Sequence, residues 1–322
     1  QLVDRVGEVY KRKVRFCDEC IGPKIDDALE TLGKGEILLL ENIRFCPEET
    51  KNDTSFAEAM AKPFDIFVMD AFSASHRAHA STNAIQRVLP SYAGKLMEKE
   101  VTTLASVKND PEDPFVLILG GAKVSDKIGV LETLLPKTSS VLIGGGMAFT
   151  FLKVQGYDVG LSLLEEEKMD FASAMIHKAS ELGVDLVLPV DVVVSESPGS
   201  DSEPKLVGID SIPNDLMGLD IGPATLELFG SYILKARTIL WNGPMGVFEK
   251  KGFEKGTETL AEKVAEQTRK GCLTVVGGGD TASAVKKFGY SEKVSHVSTG
   301  GGASLEFFED KILPGIEPLL ID

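Results

Sequence analysis

Glycine placement constrains this chain more than any other feature. Clusters stand at Gly120-Gly121, 144–146, 277–279 and 300–302. Residues 115–119, 141–143 and 273–276 are short apolar, β-branched runs that each lead into a cluster, and 294–297 is a weaker fourth. Helix-like text follows most of them. A strand, a glycine turn and a helix, repeated, predict a parallel α/β sheet. Its strands are buried on both faces and read as continuous apolar runs. Composition agrees: 32 of 322 residues are glycine, against a usual ~7%.

The first third shows the same alternation with fewer glycines. Residues 13–16, 37–40 and 66–69 read as strands, and 25–32 and 56–62 as helices. Residues 91–109 read as one long helix, in which Leu96, Met97, Val101, Leu104 and Ala105 keep helical spacing. Two prolines in Asn109-Asp-Pro-Glu-Asp-Pro114 end it. The domain boundary is therefore expected along this helix. Residues 1–90 form an N-terminal domain, 91–109 the interdomain helix and 110–310 a C-terminal domain, with a tail at 311–322 packing back on the first. The polar, turn-rich stretch 191–212, with Ser197-Pro-Gly-Ser-Asp-Ser202 at its tip, reads as a surface excursion.

Charge and cysteine content exclude several functions. A net charge of −15 argues against a nucleic-acid coat, which needs basic stripes. No apolar run is long enough to span a bilayer. The start, Gln1-Leu-Val-Asp-Arg5, lacks a secretory pattern and a Met, so it reads as processed or as part of a longer product. Four cysteines suggest a reducing, cytoplasmic setting. Cys17-Asp-Glu-Cys20 is a lone CxxC; without a second pair of ligands it reads as buried or idle rather than as zinc or redox chemistry.

Glycine turns after parallel strands let backbone approach a phosphate, and the following helix offers free N–H groups and a positive dipole end. Together the clusters point to a nucleotide site, although any one of them can simply close a tight turn. The P-loop, dinucleotide and D-F-G strings are absent. Lys123 and Lys127 follow Gly120-Gly121 at i, i+4; a helix starting there puts both ammonium groups on its first face, where an anion justifies them. Asp280 sits at an expected N-cap with Thr281 in the first turn; it either caps the helix or holds a phosphate-bound Mg²⁺. Trp241-Asn-Gly-Pro-Met-Gly-Val-Phe-Glu249 can wall an adenosine, with Glu249 accepting from a ribose hydroxyl. His76, Arg77 and His79 gather in Ser73-Ala-Ser-His-Arg-Ala-His-Ala80; Arg77 and Arg44 can clamp a carboxylate or phosphate. Taken singly, Arg44 reads as a surface ion pair and His79 as a core histidine. His177 and His296 read as structural.

In this order, Leu39-Leu-Glu-Asn-Ile-Arg-Phe45, Asp70-Ala-Phe72 with His76-Arg-Ala-His-Ala-Ser81, Leu96-Met-Glu-Lys-Glu100, residues 120–127, Gly144-Gly-Gly-Met-Ala-Phe-Thr-Phe151, Met217-Gly-Leu-Asp-Ile-Gly-Pro223, Trp241 to Glu249, 277–282 and Ser298-Thr-Gly-Gly-Gly-Ala-Ser-Leu-Glu306 resemble the phosphoglycerate kinase family. The resemblance covers the whole chain. It implies two Rossmann-like parallel-sheet α/β domains separated by a cleft, in a hinge-bending, monomeric glycolytic enzyme. It implies reversible phosphoryl transfer from 1,3-bisphosphoglycerate to ADP, giving 3-phosphoglycerate and ATP, with Mg²⁺ as cofactor and domain closure excluding water. It assigns Arg44, Arg77 and His76 to the glycerate, and Lys123, Gly279 and Thr281 to the transferring phosphoryl group. Gly121, Lys123, Lys127, Gly145, Asn242, Pro244, Glu249, Gly278, Gly279, Asp280 and Thr281 are assigned to the nucleotide, Asp280 also to Mg²⁺, and 298–302 to the neighbourhood of the cleft and hinge. The family's D-F-N-V-P strand, an arginine and its H-L-G-R-P motif have no counterpart here, so a chain starting at Gln1 is expected to bind nucleotide and turn over poorly. Met69, Ser73 and Ala84 replace commoner Asn, Gly and Gly. Two rivals stand beside this reading. A nucleotide-dependent oxidoreductase would need a G-x-G-x-x-G, and a non-catalytic nucleotide-binding protein would lose only affinity when Lys123 becomes Ala.

Overall fold

Two units make up the computed structural model, residues 1–98 with 312–322 and residues 99–311. It describes residues 2–200 and 203–320. Asp201 and Ser202, the end of the expected excursion tip, and the last two residues of the tail lie outside the described residues.

The first unit holds β1 (Val14–Cys17), β2 (Ile37–Leu40), β3 (Phe67–Met69) and β4 (Ser91–Ala93). β1 pairs in parallel with β2, and β3 with β4. Parallel neighbours need a crossover, and helix Pro23–Glu30 supplies it between β1 and β2. Asp53 caps helix Thr54–Ala61 by accepting from the Phe56 N–H at 2.8 Å. That helix buries Phe56, Ala57 and Met60 against Ala80, Ala84 and Ile85. The Asn83 and Gln86 side chains donate to the Pro314 and Gly315 carbonyls at 2.7 and 2.8 Å, which ties residues near the C-terminus into this unit.

Residues 91–93, expected as the first turn of a long helix, are β4 instead. Their backbone pairs with β3, and the Asp70 carboxylate accepts from the Leu96 and Met97 N–H groups at 2.7 and 3.0 Å. Helix Lys95–Asn109 therefore starts where its orphan donors find an acceptor. Gly94 makes the turn possible, because a Cβ there would run into the Asp70 carboxylate.

The second unit contains β5 (Phe115–Leu119), β6 (Ser140–Ile143), β7 (Asp185–Val187), β8 (Asp191–Ser195), β9 (Lys205–Gly208), β10 (Met217–Ile221), β11 (Thr238–Asn242), β12 (Leu273–Gly277) and β13 (His296–Val297). Six of them form one parallel sheet in the order β13-β12-β11-β5-β6-β7. Every residue of β5 and β11 is buried, as the unbroken apolar runs require. Trp241, Phe229, Leu260 and Val264 pack on this sheet; each such side chain contributes ~1.5–3 kcal/mol when withdrawn from water.

Register places the functional edge. Leu119 lies opposite both Ile143 and Asn242, and Asn242 lies opposite Gly277. The carboxyl ends of β5, β6, β11 and β12 are therefore level, and three of the glycine clusters follow at one sheet edge. The stretch 191–212 departs from expectation. It is no mere excursion: β8 and β9 join β10 in an antiparallel sheet ordered β10-β8-β9. Val192 and Val194 are buried in it. The surrounding Asp, Ser, Pro and Gly hid a β-branched run of three valines.

Candidate active site

At the level sheet edge the glycine turns interlock. The Gly120 N–H donates to the Asn242 carbonyl, and the Gly121 N–H to that of Pro244, both at 2.9 Å. The Gly145 N–H reaches the Met245 carbonyl at 3.2 Å. Gly145 has φ +65°, and a Cβ on it would lie 2.6 Å from the Gly121 nitrogen, so close backbone approach needs glycine there. Thr281, fully buried, accepts the Gly243 N–H at its Oγ1 (2.7 Å), joining the turn after β11 to the helix after β12. The Trp241 indole N–H donates to the Gly243 carbonyl at 2.8 Å.

A cavity of about 300 Å³ opens beside these turns. Gly121, Gly145, Pro244, Glu249 and Asp280, which the resemblance assigns to the nucleotide and its Mg²⁺, all line it. Its apolar walls include Met245, within the Trp241 to Glu249 string expected to wall an adenosine, and Phe149, Leu163, Val192 and Leu219, which the sequence did not single out. Val192 and Leu219 arrive from the antiparallel sheet; the Met217 to Pro223 string was the only signal for Leu219, and Val192 had none.

Helix Gly279–Lys287 begins at this edge with Gly278 in the N-cap position, at φ +89°. This corrects the expectation for Asp280: it does not cap the helix but lies exposed in its first turn. The first N–H groups of any helix, here those of Gly279, Asp280 and Thr281, have no intrahelical acceptor and face an anion favourably. Asn242 is buried beside Gly278, and its Oδ1 has no hydrogen-bond partner.

The two lysines do not share a helix. A short 3₁₀ turn spans Ser125–Lys127, and the α-helix begins only at Ile128. Lys123 stays in the preceding loop and is exposed. The buried Val124 and the Glu165 carboxylate, which accepts from the Ser125 N–H and Oγ at 3.1 and 2.7 Å, set that loop's path. Burial pulls the Lys127 ammonium below its usual pKa, while Asp126, Asp280 and Glu309 oppose this. Lys127 and Asp280 thus feel each other's charge beside the cavity. Among the described residues no cluster of three or more His, Cys, Asp or Glu side chains is arranged to hold a metal.

In the first unit a second cavity, of about 410 Å³, is lined by Arg44, Glu49, Asp70, His79 and Ser81 among others. Arg44 sits in the turn Ile43–Phe45, whose Asn42 side chain accepts the Arg44 N–H at 3.1 Å. Arg77 is exposed, and its Nε lies 3.3 Å from the His76 Nε2. Neither arginine forms an ion pair among the described residues, so Arg44 is not the surface pair that its type alone suggested. His79 is nearly buried, with Nδ1 3.7 Å from Glu49 Oε1. Burial pushes its pKa down, Glu49 works against this, and Arg44, Arg77 and His76 add to the lowering.

His296 is more tightly bound than its surroundings in sequence suggested. Its Nε2 lies 2.8 Å from the fully buried Glu100, whose other oxygen accepts from the Thr299 N–H and Oγ1 at 2.7 and 2.8 Å. The cysteines are free thiols, with Cys17 and Cys20 buried.

The family model described as phosphoglycerate kinase matches residues 1–311. The phosphoglycerate kinase of Thermosipho africanus is 51% identical over 316 residues, covering 98% of this chain and 79% of that protein. The cytosolic phosphoglycerate kinase of Nicotiana tabacum is 49% identical over the same length, with the same coverage of 98% and 79%. Among solved structures, phosphoglycerate kinase from Coxiella burnetii superposes with a TM-score of 0.87 at 41% identity, covering 99% of this chain and 79% of that one. The Pyrococcus horikoshii enzyme gives 0.86 at 30% identity, with 99% and 81% coverage. The level glycine edge and the arginine-bearing cavity are thus features of a chain that belongs to the phosphoglycerate kinase family.

Proposed function

We propose that the protein catalyses reversible phosphoryl transfer between 1,3-bisphosphoglycerate and ADP, giving 3-phosphoglycerate and ATP. The observation that carries this is the level edge of the six-stranded sheet, where glycine turns, an uncapped helix N-terminus and Asp280 surround an apolar cavity and Lys127 feels the charge of Asp280. An apolar slot beside phosphate-binding backbone is what a nucleoside diphosphate requires.

In this reading Gly121, Gly145 and Pro244 flank the base. Glu249 accepts from the ribose, and the Asn242 Oδ1 lies towards the region joining ribose and phosphates. The N–H groups of Gly279, Asp280 and Thr281 receive phosphate oxygens next to Gly278. The Thr281 Oγ1 accepts the Gly243 N–H, and both its O–H and its backbone N–H can donate to phosphate oxygens. Lys127 neutralises nucleotide phosphate, and Lys123, on an exposed loop, meets the phosphoryl group in transit. Arg44, Arg77 and His76 hold the phosphate and carboxylate of the glycerate.

The donor set suits magnesium carried in by the nucleotide. One exposed carboxylate, Asp280, would hold the ion together with phosphate oxygens of the nucleotide, and Mg²⁺ commonly takes only one or two protein carboxylates. When bound, the ion draws charge from the phosphate oxygens. The rest of the task falls to this chain's residues. Phosphoryl transfer asks for alignment and charge neutralisation more than covalent catalysis. An oxygen of the ADP terminal phosphate attacks the acyl-phosphate phosphorus and the glycerate carboxylate leaves. Lys123 and the helix N-terminus offset the charge on the equatorial oxygens. No described helix is long and apolar enough to cross a membrane, and the net charge of −15 disfavours nucleic acid.

Replacing Lys123 with Ala tests the reading in a coupled assay of transfer from ATP to 3-phosphoglycerate. The expected loss is about 10²–10³-fold in kcat, the scale for removing one preorganised donor. A loss confined to nucleotide affinity favours a binding protein instead.

A further inference from the structure

We propose that Glu49 is a positioning residue for the phosphoglycerate site, tying the segment that carries Arg44 to the loop that carries His76 and Arg77. This rests on the assignment of those arginines to the acid substrate.

Glu49 is a carboxylate with 2% exposure, set in a one-turn helix, Pro47–Thr50, that follows Arg44 closely. Burying a carboxylate is costly unless its oxygens are satisfied, and here both are. Oε2 accepts the Ser81 N–H at 2.8 Å and Oε1 accepts the Ser81 hydroxyl at 2.6 Å. Oε1 also lies 3.7 Å from His79 Nδ1. The Glu49 carbonyl adds a third tie by accepting the Ala80 N–H at 2.9 Å. Three residues on, Asn52 extends the clamp: its amide donates to Asn83 Oδ1 at 3.0 Å, and its Oδ1 accepts the Ala84 N–H at 3.1 Å. The loop is braced internally by Thr82, whose hydroxyl donates to the Arg77 carbonyl at 2.8 Å. Residues 46–52 therefore grip residues 79–84, and Glu49 supplies the charged part of the grip.

The arginines need such a support. Both are exposed on short irregular segments, without a carboxylate partner among the described residues. Two guanidinium groups bind one anion well only when their spacing is fixed in advance. Arg44 lies five residues before Glu49, and Arg77 lies four before Ser81, which Glu49 holds. The carboxylate is thus a short bridge between them.

The direction of the effect separates positioning from simple electrostatics. Glu49→Gln keeps the size of the side chain but removes a negative charge from beside a cationic patch. By charge alone, an anionic ligand would then bind more tightly. If Glu49 positions the patch, the ligand binds more weakly: only one of the two amide atoms can accept, so the arrangement in which Oε2 takes the Ser81 N–H and Oε1 its hydroxyl is lost, and the bonds that remain are no longer charge-assisted.

The test is a calorimetric titration of 3-phosphoglycerate and, separately, MgADP into the full chain, wild type and Glu49→Gln, with Ser81→Ala and Arg77→Ala alongside. The expected result is a loss of about tenfold or more in affinity for 3-phosphoglycerate in Glu49→Gln, a smaller loss in Ser81→Ala, and unchanged MgADP affinity in both. The His79 imidazole, followed by NMR, should titrate at lower pH in Glu49→Gln, since Glu49 opposes its lowering. Equal or tighter 3-phosphoglycerate binding in Glu49→Gln, with Arg77→Ala impaired, overturns the positioning role and leaves the substrate assignment intact. Unchanged binding in Arg77→Ala overturns both. If Glu49→Gln weakens both ligands together, its effect is general destabilisation and the proposal fails.

Discussion

Thr281→Val is the sharpest small perturbation this structure offers. The side chain is fully buried, and Val matches its shape while deleting the oxygen that accepts the Gly243 N–H at 2.7 Å. The Gly243 N–H is then left unsatisfied inside the protein, at a cost of about 1–3 kcal/mol. The unit that carries it, residues 99–311, is of a size in which each kcal/mol moves the midpoint by about 2–4 °C. A lowering of between about 2 and 12 °C is therefore expected. The readout is built in. Trp241 is the chain's one tryptophan, it is fully buried, and its indole donates to the Gly243 carbonyl. Its fluorescence reports both the midpoint and the geometry of the turn. Thr281→Ser, which keeps the hydroxyl, should retain the native emission and lose less stability. Because the same turn carries Asn242 and Pro244, MgADP should also bind more weakly to the valine variant. Wild-type stability and emission in Thr281→Val would refute the claim that this hydrogen bond locks the two turns together.

Further expectations follow from buried titratable groups. Burial pushes Asp220 up to about 7, despite N–H donation from Ile221 and Gly256 at 2.9 and 2.7 Å. A raised folded pKa means that the native state binds the proton more tightly. Its stabilising contribution is full below the unfolded pKa near 4 and is lost as pH rises to about 7, by up to about 1.4 kcal/mol per pH unit. Denaturant titrations should show this slope in the second unit and its reduction in Asp220→Asn; an identical slope in the variant would contradict the assignment. Cys20 is raised to about 11 by burial and by its hydrogen bond with Cys46, and Cys272 to about 12 by burial. Neither should react with an aromatic disulfide reagent at neutral pH until denaturant is added, and rapid native-state labelling of either would count against that burial.

How much of this was legible beforehand depended on which force wrote the signal. The strands at 37–40 and 115–119 appear where the sequence predicts them, and 115–119 is buried at every residue because a strand covered on both faces must be apolar throughout. The glycine turns were equally plain, since backbone that packs on backbone admits no Cβ, as Gly145 shows. What failed to show was held by long-range partners. β4 reads as helix until Asp70 and β3 are known to meet it. β8 is a valine run disguised by polar neighbours, and it becomes a wall of the cavity only through β10. The Lys123 and Lys127 spacing promised one helix, but the buried Val124 and the Glu165 carboxylate bend the chain between them. Asp280 was expected to cap because aspartate commonly does, yet Gly278 takes that position at a φ that glycine alone accepts easily. Glu49, in an acidic string beside threonine and lysine, carries no local mark of its burial.

The central claim is that two separate sites serve two substrates: an arginine-bearing site for the acid in the first unit, and a Mg-nucleotide site at the sheet edge of the second. The most direct test is a crossed titration of wild type, Arg77→Ala and Asp280→Ala with 3-phosphoglycerate and with MgADP. Arg77→Ala should lose about tenfold or more in affinity for the acid, the scale of a lost charge-assisted hydrogen bond, and keep its nucleotide affinity. Asp280→Ala should do the reverse. If the two variants impair the same ligand, or if neither impairs its own, the assignment of the sites is wrong.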